Sequence, residues 1–383
     1  MFTFSTSFNS FVSNPENYRY SKVQIESNIF TFAHCQMFKL CKVKKLNTLI
    51  VVSFAVFALS AQSFEKRCFK IMSYNVENFF DCVDDSLTKD EEYLPGGLRA
   101  WNNAKYQKKQ ANISKVIVAV GGWEPPAIVG LCEIESEKCM WDLTHYSGLK
   151  NLRYKFVHHE SPDARGVDVA LMYQPNMFKP VRNEAIRIDF PDAPQSKTRD
   201  ILYVSGVVPS GDTLHCFVCH FPSRLGGELE SEDRRMFVAS VLRSKVDSLF
   251  KQNMKADIVI MGDFNDYPPN ESMHGVLKAL SPDDNRSANE LYNLMYPIHS
   301  SGHGSHKHEG EWGALDQIIV SGNLLNPAGS IYTLPSDAHV FNADFLLVDD
   351  EKYLGKQPFR TYNGMKFQDG FADHLPVYVD LWY

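Results

Sequence analysis

Ala127–Ile134 is an apolar run broken only near its end, by Glu133. An uninterrupted run of this length fits a strand buried on both faces, and such a strand has to lie inside a covered sheet. The arrangement recurs along the chain. Phe69–Val76 carries the string SYNVE at Ser73–Glu77, Ile258–Met261 leads into GDFND at Gly262–Asp266, and ADHLPV at Ala372–Val377 opens a last strand, Pro376–Leu381. Each apolar stretch therefore delivers carboxylate, amide or imidazole groups to one strand end.

The segments between these strands read as helices. Trp101–Val120 has Ile113, Val116, Ile117 and Val120 at helical spacing, and Gly121-Gly122 stops it. Glu228–Phe250 is amphipathic, with Phe237, Val238, Val241, Leu242, Val246 and Leu249 on one stripe. Ser136–Leu149 is a third helical segment. Ile201–Val208 and Thr213–Phe221 flank the turn-forming Pro209–Asp212 and predict a hairpin. Helices alternating with strands, plus one hairpin, imply mixed sheets covered by helices. No linker-like stretch follows residue 70, which favours one large domain over 68–383.

The first part of the chain has a different grammar. Lys39, Lys42, Lys44 and Lys45 precede an apolar run, Leu49–Ala61, that is too short to span a bilayer and ends in small residues. Residues 37–61 are expected to be a signal peptide and residues 1–36 a disordered or spurious extension, so the remainder is expected to be secreted or periplasmic. From residue 62 onward the chain has 33 basic and 44 acidic residues, a formal charge of −11. That balance does not suit tight, non-specific binding of duplex nucleic acid, although local basic patches and cations can offset it. Six cysteines remain in this part, and Cys216-x-x-Cys219 is not a redox pair, because positions three apart on a strand face opposite ways.

Asn75 and Glu77 are two apart on the first strand and are expected to share a face. Glu133 is a carboxylate at the end of a buried strand, where a metal or a donor has to compensate it. In GDFND, Asp263 has the chemistry to orient and deprotonate a water, and the Asn265 amide has the donors to hold a phosphoryl oxygen. Asp373-His374 supplies an imidazole, for which Asp316 is the candidate orienting carboxylate. His220 ends another strand and is a candidate second acid near a leaving oxygen. Arg165 and Arg224 lie in polar loops, where gripping phosphate and forming a plain loop salt bridge are both open readings. His303, His306 and His308 fall in a Gly/Ser/Lys-rich segment that reads as a rim loop rather than as a closed zinc site.

The ordered set, Asn-x-Glu, Glu, His, Gly-Asp-x-Asn, an Asp-bearing LDQIIVS strand and Asp-His, resembles the endonuclease/exonuclease/phosphatase superfamily over about Phe69 to Trp382. The resemblance is to the secreted, bacterial-type members. It implies an α/β (α+β) fold, a four-layer sandwich of two packed mixed β-sheets flanked by helices. It implies Glu133 as the principal metal ligand, with Glu77 and Asp373 as further acidic residues near metal. It also implies Asp263 as the water-positioning group, Asn265 and Asn75 as amides on phosphate, and Asp316 orienting His374. His220 matches the extra histidine of the deoxyribonuclease and sphingomyelinase branches.

The resulting expectation is a monomeric Mg²⁺-dependent phosphodiester hydrolase, with Mn²⁺ or Ca²⁺ as substitutes. Nucleic acid is the first-choice substrate, and no stable membrane insertion is expected once the signal is cleaved. The alternatives are a phospholipid or inositol-phosphate esterase and a non-catalytic binding module on the same fold.

Overall fold

The computed structural model describes residues 66–224, 226–283 and 285–383. The expected signal peptide and upstream extension lie outside these residues. No helix among the described residues is long and apolar enough to cross a membrane.

In chain order the strands and helices that position the site begin with β1 (Cys68–Phe79), α1 (Asn103–Gly121), β2 (Ile128–Ile134) and α2 (Glu137–Tyr146). They continue with β3 (Lys155–His158), β4 (Asp168–Tyr173), β5 (Lys179–Ile186), β6 (Ile201–Val207) and β7 (Thr213–His220). Next come α3 (Glu228–Gln252), β8 (Asp257–Asp263), β9 (Ala279–Leu280), β10 (Leu291–Asn293) and α4 (Tyr296–Ser300). The remaining strands are β11 (His306–His308), β12 (Glu311–Gly313), β13 (Asp316–Ser321), β14 (Ala338–Val340), β15 (Leu347–Asp349), β16 (Lys356–Pro358), β17 (Tyr362–Asn363), β18 (Lys366–Phe367) and β19 (Val377–Trp382).

Two large sheets result. One has the order β14-β19-β1-β2-β4-β3 and the other β5-β6-β7-β8-β13-β10-β9. Each contains a central parallel pair, β1 with β2 and β7 with β8, and the second sheet has a short parallel pair at its edge, β9 with β10. A parallel pair needs a long crossover, and α1 and α3 are the crossovers of the two central pairs. The helix expected over Trp101–Val120 starts at Asn103, because the Asn102 side chain accepts a hydrogen bond from the Lys105 amide and caps it. Ser136 caps α2 in the same way, through the Cys139 amide.

Strand alternation sorts side chains into layers. Ile71, Ile128, Val259 and Met261 fill the core between the sheets. Met72, Val129 and Leu131 face α1 and α2, together with Ile113, Val116 and Ile117. Ile258 and Ile260 face α3, with Val238, Leu242 and Val246. Helices, sheet, sheet and helix therefore make four layers, as the resemblance implies. Cys216 sits in the inter-sheet core and Cys219 on the α3 side, so the two thiols do point apart. Gly130 marks where the sheets touch: a Cβ there would lie 2.7 Å from the Met261 sulfur. After β14 the chain makes two small antiparallel ribbons, β15 with β16 and β17 with β18, before returning as β19.

Candidate active site

Strand register builds the centre. His220 on β7 pairs with Asp263 on β8, and Asp263 pairs with Asp316 on β13. The three residues form one cross-strand row at the end of the second sheet. Asn75 on β1 reaches that row from the first sheet and donates from Nδ2 to Asp263 Oδ2 at 3.1 Å. His374, just before β19, completes the group. Its Nδ1 lies 2.6 Å from Asp316 Oδ2, and its Nε2 lies 3.8 Å from Asp263 Oδ2. His220 Nε2 stands 3.6 Å from the same Asp263 oxygen and 3.9 Å from Glu133 Oε1. Asp263 Oδ1 accepts from the Asn265 amide nitrogen at 2.9 Å, while the Asn265 side chain donates to the Phe221 carbonyl at 3.1 Å.

The two acidic residues of the first sheet arrive by a route that alternation does not give. β1 loses register with β2 between Asn75 and Phe79, and β2 loses register with β4 between Cys132 and Ile134. At these irregularities Glu77, Asn78 and Glu133 adopt left-handed φ of 56°, 57° and 64°. Bulges of this kind re-aim side chains next to active sites. The expectation that Asn75 and Glu77 share a strand face is therefore corrected. Asn75 turns to Asp263, whereas the Glu77 carboxylate takes the Thr361 amide at 2.6 Å and Arg360 Nε at 3.3 Å. Glu133 is aimed by the second bulge. Its Oε2 is fixed by the Asn78 amide at 2.8 Å, and its Oε1 looks toward Arg165 Nη2 at 3.7 Å.

Electrostatics separate the two imidazoles. Burial opposes charge on His374, but Asp316 and Asp263 override it and hold the ring well above the ordinary histidine range. His220 is held well below that range, by burial first and then by Arg199, Arg165 and His374. His220, expected as a second acid near the leaving oxygen, is thereby favoured in its neutral form. Burial pushes Asp263 up to about 7, against the pull of His374.

Other expectations are redistributed. Arg224, expected on a flexible phosphate-gripping loop, is committed elsewhere. It donates to the Asn265 carbonyl at 2.7 Å, pairs with Asp266 at 3.2 Å and Glu228 at 3.1 Å, and lies over the Tyr267 ring. Its work is to hold the GDFND loop in place. Arg165 remains half-exposed beside Glu133. Asp373 accepts from Arg360 Nη2 at 2.9 Å. His306, read as a rim residue, pairs with His374 by its backbone and brings its ring to 4.8 Å from the His374 ring.

Several supporting groups carry no sequence motif. The Ser305 hydroxyl donates to Asp316 Oδ2 at 2.6 Å. Arg199 donates to the His220 and Phe221 carbonyls and pairs with Asp163 at 3.1 Å. Arg235, wholly buried on α3, anchors Asp266 at 2.7 Å. Lys109, wholly buried on α1, donates to Thr361 and to the Phe371 carbonyl below Glu77.

The donor set fits a hard divalent cation. Glu133 has one oxygen locked by backbone and the other turned toward Arg165 and His220, and oxygen donors are what Mg²⁺, Mn²⁺ and Ca²⁺ take. One ligand atom each from His306, Asp373 and His374 also fall within 4.8 Å of one another.

The Endonuclease/Exonuclease/phosphatase family model matches residues 70–382. Among solved structures, the chain is similar to a family protein of that description from Bacteroides thetaiotaomicron, at 14% identity and TM-score 0.50, covering 84% of this chain and 99% of that one. It is similar to a mannosyl-6-phosphatase from the same organism, at 14% identity and TM-score 0.51, covering 82% and 100%. A functionally unknown conserved protein from Enterococcus faecalis gives 14% identity and TM-score 0.50, covering 82% and 99%. At this identity these are likenesses of fold. No curated protein matches the chain by sequence.

Proposed function

Because the chain belongs to the endonuclease/exonuclease/phosphatase family and is thereby a phosphate-ester hydrolase, we propose that the bond it cuts is a phosphodiester, with nucleic acid as the first substrate to test and Mg²⁺ as the cation. The observation that carries this reading is the convergence of Asn75, His220 and His374 on one oxygen of Asp263, within 3.1–3.8 Å.

Glu133 would hold the divalent cation, which when bound would supply Lewis-acid polarisation of the phosphoryl group. The protein's own groups do the rest. Asp263, its second oxygen fixed by the Asn265 amide, accepts a proton from an attacking water and sets its line of approach. Asn75 holds that carboxylate from the opposite sheet. The His374 imidazolium, backed by Asp316 and Ser305, donates from Nε2 to charge developing on phosphorus-bound oxygen. Neutral His220 offers Nε2–H to the leaving oxygen.

The acidic balance and the inward turn of Arg224 favour a second reading, a small phosphorylated polyol, over a long polyanion. The test is a panel of plasmid DNA, sphingomyelin, inositol phosphates and mannose 6-phosphate, with Mg²⁺ and with chelator. Cation-dependent cleavage of DNA that is lost in Asp263→Asn supports the first reading. Turnover of no member of the panel would count against both and would leave the non-catalytic module.

A further inference from the structure

Beside this centre, on the far side of Arg360, lies a cleft that the motifs do not predict. The β15–β16 and β17–β18 ribbons wall a cavity of about 600 Å³ whose lining includes Arg360, Asn363, Lys366 and Gln368. Arg360 belongs to both regions. It lines the cavity, and it also donates to Asp373 at 2.9 Å and to Glu77 at 3.3 Å in the catalytic cluster.

A guanidinium has five N–H donors, and these two bonds use two of them. The Arg360 side chain is 47% exposed, so the remaining donors are open to a ligand. The side chains of Asn363, Lys366 and Gln368 make no hydrogen bond or ion pair within the described residues. Of the other charged groups of the wall, Asp349 pairs with Lys356 at 2.6 Å and Asp350 with Lys307 at 2.8 Å, Lys352 lies over the Tyr353 ring, and Glu351 makes no ion pair within the described residues. What the cavity presents is therefore one guanidinium and two ammoniums against one unpaired carboxylate, with the amides of Asn363 and Gln368 without partners. Paired N–H donors in a planar fork match phosphate oxygens, and amides serve the hydroxyls around them.

Resting on the hydrolase reading above, we infer that this cleft binds a second phosphate of the substrate, with Arg360 between it and the reacting phosphate. The plain rival is that Arg360 only anchors its loop to Glu77 and Asp373.

Matched substrate pairs separate the two. One pair is the dinucleotide TpT and its 5′-phosphorylated form; the other is inositol 1-phosphate and inositol 1,4-bisphosphate. The wild type is expected to favour the two-phosphate member of at least one pair by about tenfold in kcat/KM, the difference residing in KM. The pair that shows it identifies the source as an oligonucleotide or a small polyol. Arg360→Gln and Lys366→Gln should erase that preference, and Arg360→Lys should restore part of it. A wild type without preference, or a Lys366→Gln variant that keeps the wild-type preference or loses both members in proportion, would overturn the inference and leave the hydrolase intact. No turnover of either pair, with bis(p-nitrophenyl) phosphate also untouched, would remove the hydrolase reading and this inference together.

Discussion

Asp316→Asn is the substitution that bears most directly on the proposed chemistry. Asp316 is fully buried, and one of its oxygens serves both His374 Nδ1 at 2.6 Å and the Ser305 hydroxyl at 2.6 Å. The amide keeps an acceptor for the ring, so His374 should stay in place while losing its nearest negative charge. At an effective dielectric near 20, a unit charge about 4 Å away is worth roughly 4 kcal/mol. Allowing for relaxation, the imidazolium loses about 2–4 kcal/mol, which at 1.36 kcal/mol per decade is about 30- to 900-fold in kcat if the cation is needed in the transition state. The pH profile carries a second signature. His374 is held above its ordinary range chiefly against the pull of burial, by Asp316 and then Asp263. Activity that needs the imidazolium falls as pH rises through that value, so the alkaline limb of kcat/KM should move toward acid in the variant. The assay is the pH-rate profile on bis(p-nitrophenyl) phosphate, with melting curves to confirm the fold. A variant that melts normally, loses less than about threefold, and keeps its alkaline limb would refute the imidazolium role.

Glu135 tests pH-dependent stability away from the chemistry. Burial first, and then Asp81 against the pull of its backbone bond, raise Glu135 to about 8. A raised carboxyl keeps its proton when folded and loses it when unfolded, so stability falls as pH climbs from about 4.5 to about 8, by roughly 1 kcal/mol per unit. Glu135→Gln should flatten that slope, and urea melts at pH 5 and pH 8.5 check it: equal shifts in both proteins contradict the assignment. Arg235→Met leaves Asp266 buried without its 2.7 Å partner and should cost about 3–5 kcal/mol, measured by chemical denaturation. Gly262→Ala forces a Cβ to within 1.8 Å of the Cys219 carbonyl at φ 144°. It should unfold the β7–β8 join or lower the melting temperature by about 5 °C or more, a loss of at least roughly 3 kcal/mol; a melt within 2 °C of wild type contradicts the packing.

The strands that carry the chemistry were legible because each is an uninterrupted apolar run with an ionisable residue at its end. α1 and α3 were legible from 3.6-residue periodicity, and the β6–β7 hairpin from Pro209–Asp212. The short strands β9–β12 and β14–β18 were not, because two or three residues give no period to read. Asp263, Asp316 and His374 were visible through motif order, and their register then agrees. Arg224 and Arg360 show the opposite. Both are arginines in polar loops, and nothing local tells which is spent on Asp266, Glu228 and a backbone carbonyl and which keeps donors for a ligand. That depends on which loops pack beside them, a tertiary fact. His306 was misplaced for the same reason: its Gly/Ser-rich surroundings read as exposed, yet the segment pairs with His374.

The bulges explain why two carboxylates approach the centre at all. In a regular strand, Glu133 would continue the alternation of β2, and Glu77 that of β1. Instead Glu77, Asn78, Glu133 and Asn265 all hold left-handed backbone, which costs a non-glycine residue on the order of 1–3 kcal/mol each. The sequence meets that cost with hydrogen bonds made inside the site. Asn75 Oδ1 accepts the Glu77 amide, Glu133 Oε2 accepts the Asn78 amide, and Asp263 Oδ1 accepts the Asn265 amide. In each case a proposed functional side chain fixes the backbone of a strained residue. The groups that would handle metal and phosphate are thus also the groups that keep the strained turns in place. Removing any one of them should therefore loosen its neighbour's position as well as subtract its own chemistry, so single and double variants within this set should combine non-additively.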